Sequence, residues 1–250
     1  MRSRRRRARR WTVGILAAPL LLIAVLVIEV ELARRGENLP DEPFELDGRL
    51  GTGAGAPLRV VWLGDSTAAG VGADDADGAL PRQVASRLDR PVDLSVLAVS
   101  GARIDDVVDR QVADVRDLAP DLVVISIGAN DVTHLTTSDH FFNAYAKVLD
   151  AIPGGVDVVL LGVPDMGAPP RLAQPLRHFA GVRGGTLDAR VQELARGRDL
   201  GYVDIAGGTG PEFRQHPELF SADRYHPDSS GYEVWADEVV PVIIRRLGTD

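Results

Sequence analysis

Five apolar runs of strand length alternate with stretches that read as amphipathic helix, and that alternation leaves few folds open. The runs are Leu58 to Leu63, Asp93 to Val99, Leu122 to Ile127, Val156 to Leu161 and Tyr202 to Ile205. The clearest helix spans Ile104 to Leu118, where Ile104, Val107, Val108, Val112, Val115 and Leu118 share one stripe. Further helices are predicted near Leu80 to Leu88, His140 to Leu149, Leu187 to Leu200 and Ser230 to Leu247, the last interrupted by Pro241. The 194 residues from Pro57 to Asp250 are ample for one domain with a sizeable core.

This pattern predicts a flavodoxin-like three-layer α/β/α sandwich around a five-stranded parallel sheet in the order 2-1-3-4-5. In that order the chain reverses between the first and third strands, and ligands bind beyond their C-terminal ends. Ser66 follows the first strand and Asn130 the third, so both fall at the switch point, with Gly101 beside them after the second.

The N-terminus is of another kind. Met1 to Arg10 holds seven arginines and no acid, and Thr12 to Ile28 is a run of 17 uncharged residues. That length reaches the lower limit for a spanning helix and exceeds the usual core of a signal peptide, while Trp11 suits a membrane interface. The pattern predicts a cytoplasmic basic tail over 1–10, an uncleaved transmembrane anchor over 11–30, a tether over 31–56 and a folded domain over 57–250. A removed signal peptide is the alternative, but cuts after Ala18 or Ala33 place Leu16 or Glu31 where a small residue is needed. Arg9-Arg10 also leaves a twin-arginine export signal open. Each reading keeps the arginines in the cytoplasm and sends the domain across the plasma membrane, anchored or secreted.

Without those seven arginines, 21 basic residues face 36 acidic ones, a net charge of −15 that argues against a nucleic-acid partner. The absence of cysteine rules out disulfides and thiolate metal sites, and His134 and His140 lack ligand spacing. No metal or cofactor is therefore expected.

Four segments carry chemistry: Gly64-Asp65-Ser66, Ser100-Gly101, Gly128-Ala129-Asn130-Asp131 and Asp223-Arg224-Tyr225-His226. Each alone is ordinary turn or cap chemistry, and together they complete a catalytic set. A serine hydroxyl needs a base to take its proton, and His226 is the histidine with an acid three residues ahead of it in a Pro-flanked loop. Asp223 would orient the imidazole and stabilise its charged form. The backbone N–H groups of Ser66 and Gly101 and the Asn130 amide would stabilise an oxyanion, each typically by about 3 kcal/mol.

The four blocks, in this order, resemble the SGNH branch of the GDSL hydrolase superfamily, whose named residues match Ser66, Gly101, Asn130 and His226. The resemblance covers the chain from Leu58 onward, with Thr67 standing where the family usually has a larger aliphatic residue. It implies a serine esterase acting on a small-molecule or glycan ester. Transfer of the acyl group to a glycan hydroxyl and a non-catalytic glycan-binding module are the competing readings. The stretch from Pro164 to Gly185 is expected to be a long loop walling the cleft, with Met166, Leu172 or Leu176 touching substrate.

Overall fold

The computed structural model describes residues 21–33, 35, 39, 44–53 and 55–248. The basic tail and residues 11–20 of the expected anchor lie outside the described residues. The sheet has six strands: β1 (Gly48–Leu50), β2 (Leu58–Gly64), β3 (Val92–Val96), β4 (Leu122–Ser126), β5 (Asp157–Leu161) and β6 (Gly201–Val203), ordered β1-β3-β2-β4-β5-β6. From β2 to β6 every pairing is parallel, and β1 lies antiparallel on the edge against β3. The five parallel strands thus follow the expected order, and β1 is the addition. It falls within the stretch expected to be a tether, because Leu46 is buried and the Asp47 carboxylate accepts the Val96 N–H at 2.7 Å.

Alternate residues of the strands face opposite sides of the sheet, and each side builds its own core. Val61, Leu63, Val123, Ile125 and Leu160 pack under α6 (Ser138–Ala151), α7 (Leu176–Arg198) and the helix beginning at Ile104. Val60, Trp62, Val124, Val159 and Leu161 pack under α2 (Leu80–Ser86), α8 (Ile205–Gln215) and α9 (Ser229–Leu247). The helix from Ile104 is interrupted, running as α3 (Ile104–Asp106), a π-helical turn (Val107–Gln111) and α4 (Val112–Leu118). The short α5 (Ala129–Thr133) follows β4.

Two further expectations change. The stretch from Pro164 to Gly185 is a loop only to Pro175, after which α7 begins, eleven residues before the predicted start. Helix α9 continues through Pro241, and α8 was not anticipated. Residues 21–33 form α1, and among the described residues no helix is long and apolar enough to cross a membrane. The end of α1 rests on the domain: Leu176 N–H donates to Glu29 Oε2 at 2.8 Å and Arg171 Nε donates to the Ala33 carbonyl at 2.6 Å.

Candidate active site

The C-terminal end of β2 is shaped by what can approach it. Gly64 has φ of +153°, and a β-carbon there would overlap the Ser126 carbonyl of β4. A larger residue would push the two central strands apart. Toward β3, Gly64 is gripped by Gln111 of the π-helical turn, whose Oε1 accepts its N–H at 2.8 Å and whose Nε2 donates to its carbonyl at 2.9 Å. The side-chain amide supplements the chain beyond β3, whose Val99 N–H also donates to the Gly64 carbonyl at 3.2 Å, and the extra residue of the π-turn is in keeping with the frequent use of such turns beside functional sites. Beyond it, Asp65 Oδ1 accepts from Thr67 N–H at 3.0 Å and from its hydroxyl at 2.9 Å. Ser66, 6% exposed, sits at the apex of this turn.

Opposite stands the loop before α9. The Asp223 carboxylate is buried and accepts four hydrogen bonds: Oδ1 takes those of the Ser221 hydroxyl and the Tyr225 and His226 backbone N–H groups, and Oδ2 that of His226 Nδ1 at 2.6 Å. Burial would raise this carboxyl, and Oδ1 and Oδ2 hydrogen bonds together with the His226 charge outweigh it, leaving the pKa at about 2. An ionised Asp223 only accepts, so Nδ1 carries the proton and Nε2 is left to accept from the Ser66 hydroxyl at 2.9 Å. Tyr225 packs edge-on against the imidazole, ring centroids 5.2 Å apart.

Asn130 lies in the first turn of α5, and its Nδ2 donates to the Ala102 carbonyl at 3.0 Å. A primary amide carries two N–H donors, so one remains for a ligand. Ala102 closes a turn with Val99, in which Gly101 adopts φ of +81°. Gly101 is exposed and does not line the cleft beside Ser66, although Asn130 ties its turn to the site.

Ser66, Asn130 and His226 share one cleft, whose walls include Met166, Phe213, Phe220 and Trp235. Its empty space out to the mouth is about 530 Å³, of which only about 40 Å³ is wide enough to hold the centre of a water molecule. The lining is mainly apolar and the slot is narrow. Of the three apolar residues expected to touch substrate, Met166 lines it. Leu172 is buried in the core under α7, and Leu176 packs against the same core, so neither faces the cleft. Both point inward because the chain folds back into α7 instead of continuing as a loop. Gln111, Phe213 and Asp165 were not anticipated, since their place depends on the π-turn, on α8 and on the loop after β5.

Other histidines are engaged elsewhere: His140 Nε2 lies 2.9 Å from Asp105, His216 Nδ1 lies 2.9 Å from Glu218, and His134 Nδ1 lies 2.9 Å from the Asn130 carbonyl. Among the described residues, no cluster of three or more His, Cys, Asp or Glu is placed to hold a metal ion.

Residues 62–234 match the sequence profile of the GDSL-like Lipase/Acylhydrolase family. A GDSL-like esterase of Mycobacterium tuberculosis is 35% identical over 222 residues, covering 79% of this chain and 68% of its own. The crystal structure of a lipase/acylhydrolase from Enterococcus faecalis superposes with a TM-score of 0.62 at 25% identity, over 76% of this chain and 96% of that one. An acetyl xylan esterase from Geobacillus stearothermophilus shares the fold, with a TM-score of 0.58 at 20% identity over 76% and 95% of the two chains.

Proposed function

Since the chain belongs to the GDSL-like lipase/acylhydrolase family, and so to the carboxylic ester hydrolases, we propose that it is a serine esterase in which Ser66 is the nucleophile, His226 the base and Asp223 the orienting acid. One observation carries this reading: the unbroken hydrogen-bond chain from the Ser66 hydroxyl through His226 to Asp223, at 2.9 and 2.6 Å. As Ser66 Oγ attacks the ester carbonyl, its proton passes to His226 Nε2, and the developing imidazolium lies against an ionised carboxylate. The free N–H of Asn130 and the backbone N–H of Ser66 supply the oxyanion donors, and the Gly101 turn acts through Asn130, which it holds by way of the Ala102 carbonyl. Collapse of the tetrahedral intermediate expels the alcohol with the proton from Nε2, leaving an acyl-Ser66. Water then attacks by the same route in reverse, returning the acid and the free serine.

The narrow apolar cleft favours a small acyl group. The arginine-rich N-terminus ahead of an uncharged run supports a domain placed outside the plasma membrane, held there by the N-terminal segment. A fluorophosphonate reagent is expected to label Ser66 alone, with Ser66→Ala losing both label and turnover of 4-nitrophenyl acetate while its circular dichroism is unchanged. Undiminished turnover by that variant would end this assignment.

A further inference from the structure

Beside the catalytic cleft lies a second, more open hollow with about 950 Å³ of empty space, lined by Arg177, His178, Arg214 and Gln174, with the backbones of Gly167 and Gly181 among its walls. Its charge runs against the rest of the molecule, where acidic residues dominate beyond the arginine tail. Arg177 spends its Nε and one Nη on the carbonyls of Leu172 and Pro169, at 2.9 and 3.0 Å. Among the described residues no carboxylate lies within ion-pair distance of it, so its charge is fixed in place and not neutralised. Arg214 is paired with Asp165 at 2.7 Å and is itself largely exposed.

The two hollows adjoin. Ala168 lines both, and Asp165, which holds Arg214, lines the catalytic cleft. Between them the loop rests backbone to backbone on α7 where Gly167 meets Gly181. An ester long enough to reach past Ala168 from Ser66 would meet a groove in which Arg177 carries a charge that no carboxylate of the described residues within ion-pair distance offsets, with the Asp165-paired Arg214 beside it.

We propose that this groove recognises an anionic group, a carboxylate or phosphate, on the part of the ester remote from the scissile bond. The inference rests on the esterase reading and names the substrate class of that same site. Guanidinium pairs carboxylate and phosphate oxygens through paired N–H donors, which a neutral hydroxyl does not reproduce. In a domain that repels anions at long range, such a groove admits only those anions that also carry the ester to Ser66.

The test uses matched esters and the full chain. Binding of 4-acetoxybenzoate and of its neutral methyl ester to the Ser66→Ala protein is measured by calorimetry, and the pair 4-nitrophenyl hydrogen succinate and its methyl ester reports an anion on the acyl side; 4-acetoxyphenyl phosphate against phenyl acetate separates phosphate from carboxylate. At least one anionic ester is expected to bind about tenfold tighter than its neutral partner, with the advantage falling as salt is raised. Arg177→Gln with Arg214→Gln should abolish that ratio, and the double Lys variant should restore part of it. The ratio cancels any loss common to both esters. Equal binding of every anionic and neutral pair, or a preference that survives the double Gln variant, overturns the proposal. Turnover of phenyl acetate by the wild-type chain reports separately on the esterase, so the two can fail independently.

Discussion

Asp65 and Asp223 are both buried within the same group of loops, yet their surroundings drive them in opposite directions. For Asp223, hydrogen bonds and the His226 charge outweigh burial and hold the carboxyl at about 2. For Asp65, burial outweighs the two bonds from Thr67 and lifts it to about 6. From an unfolded value near 4 up to about 6, the folded chain keeps a proton on Asp65 that the unfolded chain has released. Stability attributable to this group therefore falls as pH rises through that window and levels off above it. Asp65→Asn retains an oxygen for Thr67 while removing the charge, so at pH 7.5 it is expected to be more stable than wild type by about 2 kcal/mol. Urea unfolding at pH 4, 5, 6 and 7.5 checks this, and an identical pH slope in the variant would refute it. Asp223 follows the opposite sign, stabilising fully above an unfolded value near 4 and losing that contribution as pH falls toward about 2. Asp223→Asn should keep the fold at neutral pH and lower kcat by roughly 10³-fold or more, because the imidazole loses the acceptor that fixes its tautomer. A kcat within tenfold of wild type would remove Asp223 from the relay.

At the scale of elements, the π-helical turn Val107–Gln111 is what brings Gln111 to the nucleophile's strand. Gln111→Leu would leave the Gly64 N–H buried without that partner, costing about 1–3 kcal/mol, and would loosen the turn that holds Ser66. Steady-state kinetics should show the loss mainly in kcat, with KM little changed. Equal stability and kcat in the variant would make the clamp incidental. None of this was legible from the amino-acid order, because the apolar stripe from Ile104 to Leu118 fits an ordinary α-helix and a π-turn leaves that stripe nearly intact. The buried strands were legible because Leu58 to Leu63 and Leu122 to Ile127 are almost wholly apolar. Strand β1 was not, since Gly48-Arg49-Leu50 is too short and too polar to show an alternation. The first half of α7 was hidden by Gly181, Gly184 and Gly185, which depress helix propensity; the first two allow close packing on Gly167 and Met166. That Ser66, Asn130, Asp223 and His226 would be brought together was legible because the proposed chemistry needs those residue types, whereas Leu172 and Leu176 were misplaced because an apolar side chain does not declare which interior it will fill.

For the whole molecule, the distribution of arginines predicts the orientation across the membrane. A reporter that is active only after export, fused after Asp250, should be active, and a cytoplasmic reporter at the same point silent; the reverse pair would contradict the arrangement. Arg171 adds something about how the domain is held. Its Nε donates to the Ala33 carbonyl at the end of α1, while one Nη lies 3.4 Å from the Asp223 carbonyl and its backbone N–H donates to the Arg224 carbonyl at 3.0 Å. The end of α1 and the loop that carries Asp223 and His226 thus meet on one residue. If the N-terminal segment is the proposed anchor, a domain braced on it in this way does not sweep a volume in search of substrate: its mouth keeps a set height and angle above the membrane, and the substrate must do the travelling.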